Sequence, residues 1–263
     1  MQFPIYQINA FTEKSFGGNP ACVVPLKKWL KDEILLKIAR ENAVAETAFF
    51  IINDNKIYLR WFTPDIEMDL CGHATLATAH CLKTILNYKR EIIVFETISG
   101  DLEVKFEKDN YILNFPSRNP IKSNLPKAIK DALNIQPLEV LKSRDYVLIY
   151  KTEKEVTDIK INRTIFDQIN LNTGGVIVTA EGNSHDFVSR FFTPQATILE
   201  DPVTGSAHCS LTPLWSKKLK KDKLFAKQLS KRSGELTCIN QGERVVIIGK
   251  AKTYSKGYLL IET

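Results

Sequence analysis

The chain has 263 residues, 44% of them hydrophobic, and a formal net charge of +6; that is enough for two ordinary cores, and no apolar run is long enough to read as a membrane span. The charge is concentrated in residues 216–232, where Lys217, Lys218, Lys220, Lys221, Lys223, Lys227, Lys231 and Arg232 face a single acid, Asp222, so that this stretch carries +7 and the remainder −1. It lacks the interleaved aromatic residues of a base-stacking platform, which argues against a nucleic-acid partner, while five unpaired-looking cysteines and an N-terminus without a signal pattern suit a reducing, cytoplasmic setting.

In chain order, residues 2–8 predict a strand, and Gly17-Gly18-Asn19-Pro20 a sharp turn into a second strand at 21–26. Leu30, Ile34, Leu35, Ile38 and Ala39 recur at helical spacing, which places a helix at 31–41. Residues 47–52 and 56–62 flank Asn53-Asp54-Asn55, a hairpin signal. Residues 74–86 are apolar nearly all round, the pattern of a helix buried on most sides. Three strand-like runs follow at 92–96, 102–106 and 111–115, and Pro116, Pro120 and Pro126 then mark a linker. Beyond it come a helix at 126–133, strands at 146–150, 175–180 and 186–192, and a small-residue helix from Ser206. Residues 216–232 read as a surface helix with a solvated basic face and a stripe of Leu219, Leu224, Phe225 and Leu229.

The halves repeat each other. Arg60-Trp61-Phe62-Thr63-Pro64 returns as Arg190-Phe191-Phe192-Thr193-Pro194, Gly72-His73-Ala74-Thr75 as Gly205-Ser206-Ala207-His208, and Ser99-Gly100-Asp101-Leu102 as Ser233-Gly234-Glu235-Leu236. Three matches in one order point to one α+β unit used twice, each sheet wrapping its own helix, with halves at 1–118 and 119–263 and the last strand free to cross back to the first. Neither G-x-G-x-x-G nor a P-loop occurs, so no nucleotide cofactor is expected.

Chemistry should sit where the halves differ. The two helix starts, at Gly72-His73 and Gly205-Ser206, offer unpaired N–H groups and partial positive charge. Brought to one cleft, they would cradle a carboxylate; the plainer reading makes the glycines turn residues, with Thr204 and Ser206 as ordinary caps. Glu46 is the only charge in an apolar run and shares a strand face with Ala48, Phe50 and Ile52, a setting that would raise its pKa and suit proton transfer. Alternatively it pairs with Lys37 or Arg40. Asp201 belongs to an insertion, Glu200-Asp201-Pro202-Val203-Thr204, without a first-half counterpart; it is either a ligand contact or a turn-satisfying acid. Cys71, His73, His208 and Cys209 lack the paired spacing of zinc ligands, and His80 and Cys81 read as core.

These blocks, together with Asn9-Ala10-Phe11, Gly18-Asn19-Pro20-Ala21 and Ala45-Glu46-Thr47-Ala48-Phe49, resemble the PhzF-like phenazine-biosynthesis family, which has the diaminopimelate epimerase-like fold. The resemblance spans the whole chain. It implies two pseudo-symmetric domains, each a curved, barrel-like sheet around a central apolar helix, in a homodimeric isomerase that needs no cofactor or metal. It further implies that a glutamate, matched by Glu46, shifts a proton between carbons of a small unsaturated cyclic carboxylate. Asp201, His73 and Ser206 match the assisting residues, and Gly72, Gly205 and Asn19 the substrate-binding positions. The related two-thiol epimerases carry a cysteine at each helix start; here Cys71 has no partner thiol before Gly205.

Overall fold

One sequence of strand pairings occurs twice. In the first half, Asn19–Leu26 lies parallel to Glu46–Asn53, which is antiparallel to Lys56–Phe62; this strand is parallel to Ile92–Thr97, itself antiparallel to Gly100–Glu107. In the second, Tyr146–Ile149 is parallel to Val176–Glu181, which is antiparallel to Phe187–Phe192. This strand is parallel to Lys223–Gln228, itself antiparallel to Gly234–Asn240. A parallel step needs a long crossover. At the second parallel step of each half the crossover contains the central helix, Gly72–His80 or Gly205–Leu219. The structure is a computed structural model that describes residues 1–53 and 56–262. It divides into two compact units, one of Met1–Asn114 with the stretch from Ile248 onward, the other of Phe115–Ile247.

In the first unit, Gln2–Ala10 is paired on one side with Asn19–Leu26 and on the other with Ala251–Leu260. Gly18 makes the turn between the first two strands at φ +68°, where a Cβ would come within 2.2 Å of the Ala10 carbonyl oxygen; only glycine fits there. Residues 47–51 are buried without alternation, as expected of a strand covered on both faces. All nine residues of the helix Gly72–His80 are buried. Its threonines remain compatible with that burial because their hydroxyls donate back to the backbone, Thr75 to Cys71 O at 2.6 Å and Thr78 to Ala74 O at 2.7 Å. A π turn, Cys81–Ile85, ends the helix. His80 is indeed core: its ring nitrogens meet Tyr111 Oη at 3.0 Å and Thr253 Oγ1 at 2.9 Å.

The second unit packs Leu148, Tyr150, Val176, Val178, Val188 and Phe192 against Ile129, Val156 and Phe166. Its central helix contains Pro213, which has no N–H for the carbonyl four residues back. That carbonyl, Cys209 O, instead receives the Arg118 backbone N–H at 3.0 Å.

Three expectations change. The basic stretch is not a helix: the central helix stops at Leu219 with Lys220 left-handed (φ +54°), and Lys223–Gln228 is a strand in which Leu224, Ala226 and Gln228 point inward. Period two, not period 3.6, explains its apolar residues, and Phe225 is exposed. The proline-rich linker holds a two-residue strand, Ile121–Lys122, paired with Leu141 and Lys142. Ile52 does not share the buried environment of Phe50; it is exposed. The hairpin signal falls on 54 and 55, outside the described residues, between strands that pair at Asn53 and Lys56. No helix among the described residues is long and apolar enough to cross a membrane.

Candidate active site

Glu46 is the first residue of its strand, placed opposite Ala21 by the parallel pairing. Its Oε2 lies 3.0 Å from His73 Nε2, and the side chains are 14% and 4% exposed. The contact has ion-pair length but is bent, so neither water-shielded atom has an aligned hydrogen-bond partner. On the far side of the imidazole, Nδ1 lies 3.5 Å from Cys71 Sγ. The Lys37 or Arg40 partnership is not what forms: Arg40 Nε donates to Pro64 O at 2.8 Å, and Glu46 meets histidine. Asn19 is buried two residues before Ala21 on the neighbouring strand, hence on Ala21's side of it.

Burial alone would lower the His73 pKa, but Cys71 and Glu46 outweigh it and hold the imidazole well above its ordinary value. Burial and then Glu46 push the Cys71 thiol up to about 11. The thiol is therefore protonated at neutral pH, and the charge that favours imidazolium there is the Glu46 carboxylate. The cluster is a proton-holding pair with a weak thiol neighbour. Donor atoms of Glu46, Cys71 and His73 also lie within 4.8 Å of one another, a spacing at which a small cation could touch all three. Sequence spacing did not show this, because the carboxylate comes from a separate strand.

The two helix starts share one property. Cys71 precedes the first and Thr204 the second, and neither side chain caps its helix; no acid lies in either first turn. The plainer reading of Thr204 and Ser206 as caps therefore fails. The Thr204 hydroxyl donates instead to Asp201 Oδ2. Thr204 N donates to Gln228 Oε1 at 2.8 Å, and Gln228 Nε2 donates to Asp201 O at 2.8 Å and to Thr204 Oγ1 at 3.1 Å. Gln228 is fully buried, so this network fixes the loop from Asp201 to Thr204; that loop is not an insertion, because Glu200 and Asp201 pair as Glu67 and Met68 do and the three extra residues fall before Glu200. Ser206 accepts from Arg144 Nη2 at 3.0 Å. Gly72 and Gly205 are the first residues of their helices, both buried.

The halves diverge at the acid. The stretch corresponding to Glu46 in the second copy is Gly175-Val176, without an ionisable side chain. Asp201 in turn has only Glu67-Met68 near its place in the first copy. The repeated arginines are scaffold. Arg60 forks onto Glu67 at 2.6 and 2.7 Å, and Arg190 onto Glu200 at 2.7 and 3.0 Å. Each pins the loop that leads to a helix start. The recurrence of Arg60 and Arg190 in the sequence was the signal for this role; Gln228 and Arg144 gave none.

A sheet-rich α+β unit used twice around buried helices is the diaminopimelate epimerase-like fold, and comparison with known structures agrees. The backbone matches a PhzF-family phenazine biosynthesis protein from Enterococcus faecalis with a TM-score of 0.93 and 42% identity, covering 99% of this chain and 100% of that one. A hydroxyproline epimerase from Agrobacterium vitis, 9% identical, shares the fold with a TM-score of 0.67 over 98% of this chain and 92% of its own. In sequence, an uncharacterized isomerase of Pseudomonas aeruginosa is 45% identical over 260 residues, 98% of this chain and 99% of the relative. The family model for phenazine biosynthesis-like proteins matches residues 8–257. The chain belongs to the phenazine biosynthesis-like PhzF family, whose relatives include proteins named as isomerases.

Proposed function

We propose that this protein is an isomerase in which Glu46 moves a proton between two carbons of a small, unsaturated, cyclic amino or hydroxy carboxylate. The buried Glu46–His73 contact at 3.0 Å supports this reading most directly. As a carboxylate, Glu46 removes a proton from a carbon beside a conjugated system, and the electron pair of the broken C–H bond delocalises into that system. The neutral acid then returns the proton to another carbon as the double bond shifts, so atoms and charge balance without a co-reactant. The His73 imidazole, its Nε2 3.0 Å from Glu46 Oε2, holds the glutamate side chain in place through both transfers. In the unit that carries Glu46, the Gly72 amide at the buried helix start and the buried Asn19 hold the substrate carboxylate. A hydrophobic setting for the glutamate keeps water from competing for the proton.

Inversion by two thiols is disfavoured by the residues themselves. Thr204 occupies the place equivalent to Cys71, and Cys209 lies inside its helix with Sγ turned to Gly205 O at 4.0 Å. Glu46→Gln preserves size and cannot carry the proton. With a substrate found among cyclic unsaturated amino and hydroxy carboxylates, this variant should fold and bind but turn over about a thousandfold more slowly. Turnover within tenfold of the parent protein would assign the proton to another group.

A further inference from the structure

Three donors of different kinds meet at the start of the first central helix. Glu46 brings a carboxylate from its strand, while Cys71 and His73 bring a thiol and an imidazole from either side of Gly72. One ligand atom from each residue lies within 4.8 Å of the other two. A zinc ion bonded at about 2.0 Å to nitrogen and oxygen and about 2.3 Å to sulfur holds tetrahedral neighbours roughly 3.3–3.6 Å apart. Glu46 Oε2 and His73 Nε2, 3.0 Å apart, are already near that separation. Cys71 Sγ would complete the set by a shift of about one ångström, within reach of rotation about its Cα–Cβ bond.

Two further observations point to a ligand. Glu46 Oε2 and His73 Nε2 are both shielded from water without an aligned hydrogen-bond partner, and the imidazole side chain is only 4% exposed. Buried polar atoms in that condition are costly, and a cation touching both satisfies them as the bent contact does not. The fold, moreover, does not require these donors. In the second copy their places are taken by Gly175, Thr204 and Ser206, and the strand pairing and buried helix persist without any of the three. The carboxylate is the accessible edge of the cluster, its side chain 14% exposed, whereas Cys71 and His73 are buried.

We propose that Glu46, Cys71 and His73 bind a divalent cation of the zinc class, and that the bound cation occupies the Glu46 oxygen that would otherwise take the proton. Mixed oxygen, nitrogen and sulfur donors select zinc over magnesium or calcium, which take oxygen ligands. Three protein ligands leave a fourth position for water or an anion. The binding stands independently of the isomerase reading; the consequence, that the cation arrests turnover, rests on it.

Co2+ and Zn2+ alone are the probes, added to the full chain after treatment with a chelator. Co2+ should give a thiolate-to-cobalt charge-transfer band in the near ultraviolet and the strong visible bands of a four-coordinate ion, saturating at one ion per chain. Zn2+ should abolish both and Mg2+ neither. Cys71→Ser should lose the charge-transfer band, and Cys71→Ser and Glu46→Gln should each bind Zn2+ at least about tenfold more weakly. Cys238→Ser, altering a buried thiol of the other unit, should titrate as the parent does. Absence of the band, its persistence in Cys71→Ser, or parental Zn2+ affinity in both Cys71→Ser and Glu46→Gln overturns the site. With a substrate in hand, saturating Zn2+ should block turnover and EDTA restore it. A band that requires Cys71, together with undiminished turnover at saturating Zn2+, would leave the site standing and remove the proton from Glu46.

Discussion

His73 owes its charge to Glu46, and that debt has a measurable effect on stability. An imidazole whose folded pKa lies above the unfolded value near 6.5 contributes its full stabilisation below that value, and loses it as pH rises through the folded value. His73→Asn should therefore be less stable than the parent protein at pH 6, with the gap in urea midpoint narrowing steadily toward pH 9. A gap independent of pH would mean that the imidazole is neutral in the folded state. The comparison belongs at pH 6 and above, because His80 and His208, both lowered to about 4 by burial, lose stability for the protein as pH falls from 6.5 through 4.

The thiols give a second residue-scale expectation. Burial raises Cys71 and Cys209 to about 11 and Cys22, Cys81 and Cys238 to about 12. Native protein at pH 7.5 should react with a colorimetric disulfide reagent at least ~100-fold more slowly than the unfolded chain. One fast site that maps to Cys71 would return the thiol to the mechanism. At this scale the sequence showed Glu46 clearly, as a lone charge in an apolar run. It did not show Glu46's partner, since His73 lies on the central helix and no local spacing links the two.

Among the elements, the loops before the two central helices are held by the same device with unequal strength. Arg190 adds to its fork three carbonyls at the end of the helix Glu153–Asp158 and just beyond, Val156 O, Thr157 O and Ile159 O at 3.2, 3.1 and 2.8 Å. Arg60 adds only exposed Asp32 and the rings of Trp29 and Phe62. Urea unfolding should show a loss of about 3 kcal/mol for Arg190→Ala and about 1 kcal/mol for Arg60→Ala. Equal losses would contradict the assignment of the extra carbonyls. The strands near these loops were legible because their apolar runs are bounded by turns. Residues 216–232 were not: lysines at 217, 218, 220 and 221 fit a helix face until Lys220 turns left-handed, and nothing local announces that turn. The helix Glu153–Asp158 was legible in principle, since Thr152 and Glu155 form a capping box.

At the scale of the molecule, both halves keep the pairing order, the buried helices and the arginine forks, and they differ at Glu46, whose place in the second copy is taken by Gly175. Three short matches therefore gave the architecture, because they fall at equivalent places: the end of one strand, the helix start and the hairpin turn before Gly100–Glu107 or Gly234–Asn240. The difference between the halves was legible through Glu46; Asp201 only looked inserted, since the three extra residues of the second loop fall before Glu200 and Asp201 stands in the place of Met68. The place of Arg118 was hidden, because its backbone N–H is held by the Cys209 carbonyl that Pro213 leaves open. Turnover of substrate in heavy water by the parent protein and by Glu46→Gln tests the central claim most directly. The account predicts deuterium at the newly protonated carbon for the parent protein, at a rate matching isomerisation, and about a thousandfold slower incorporation for Glu46→Gln. Equal deuterium incorporation at equal rates in the two proteins would contradict it.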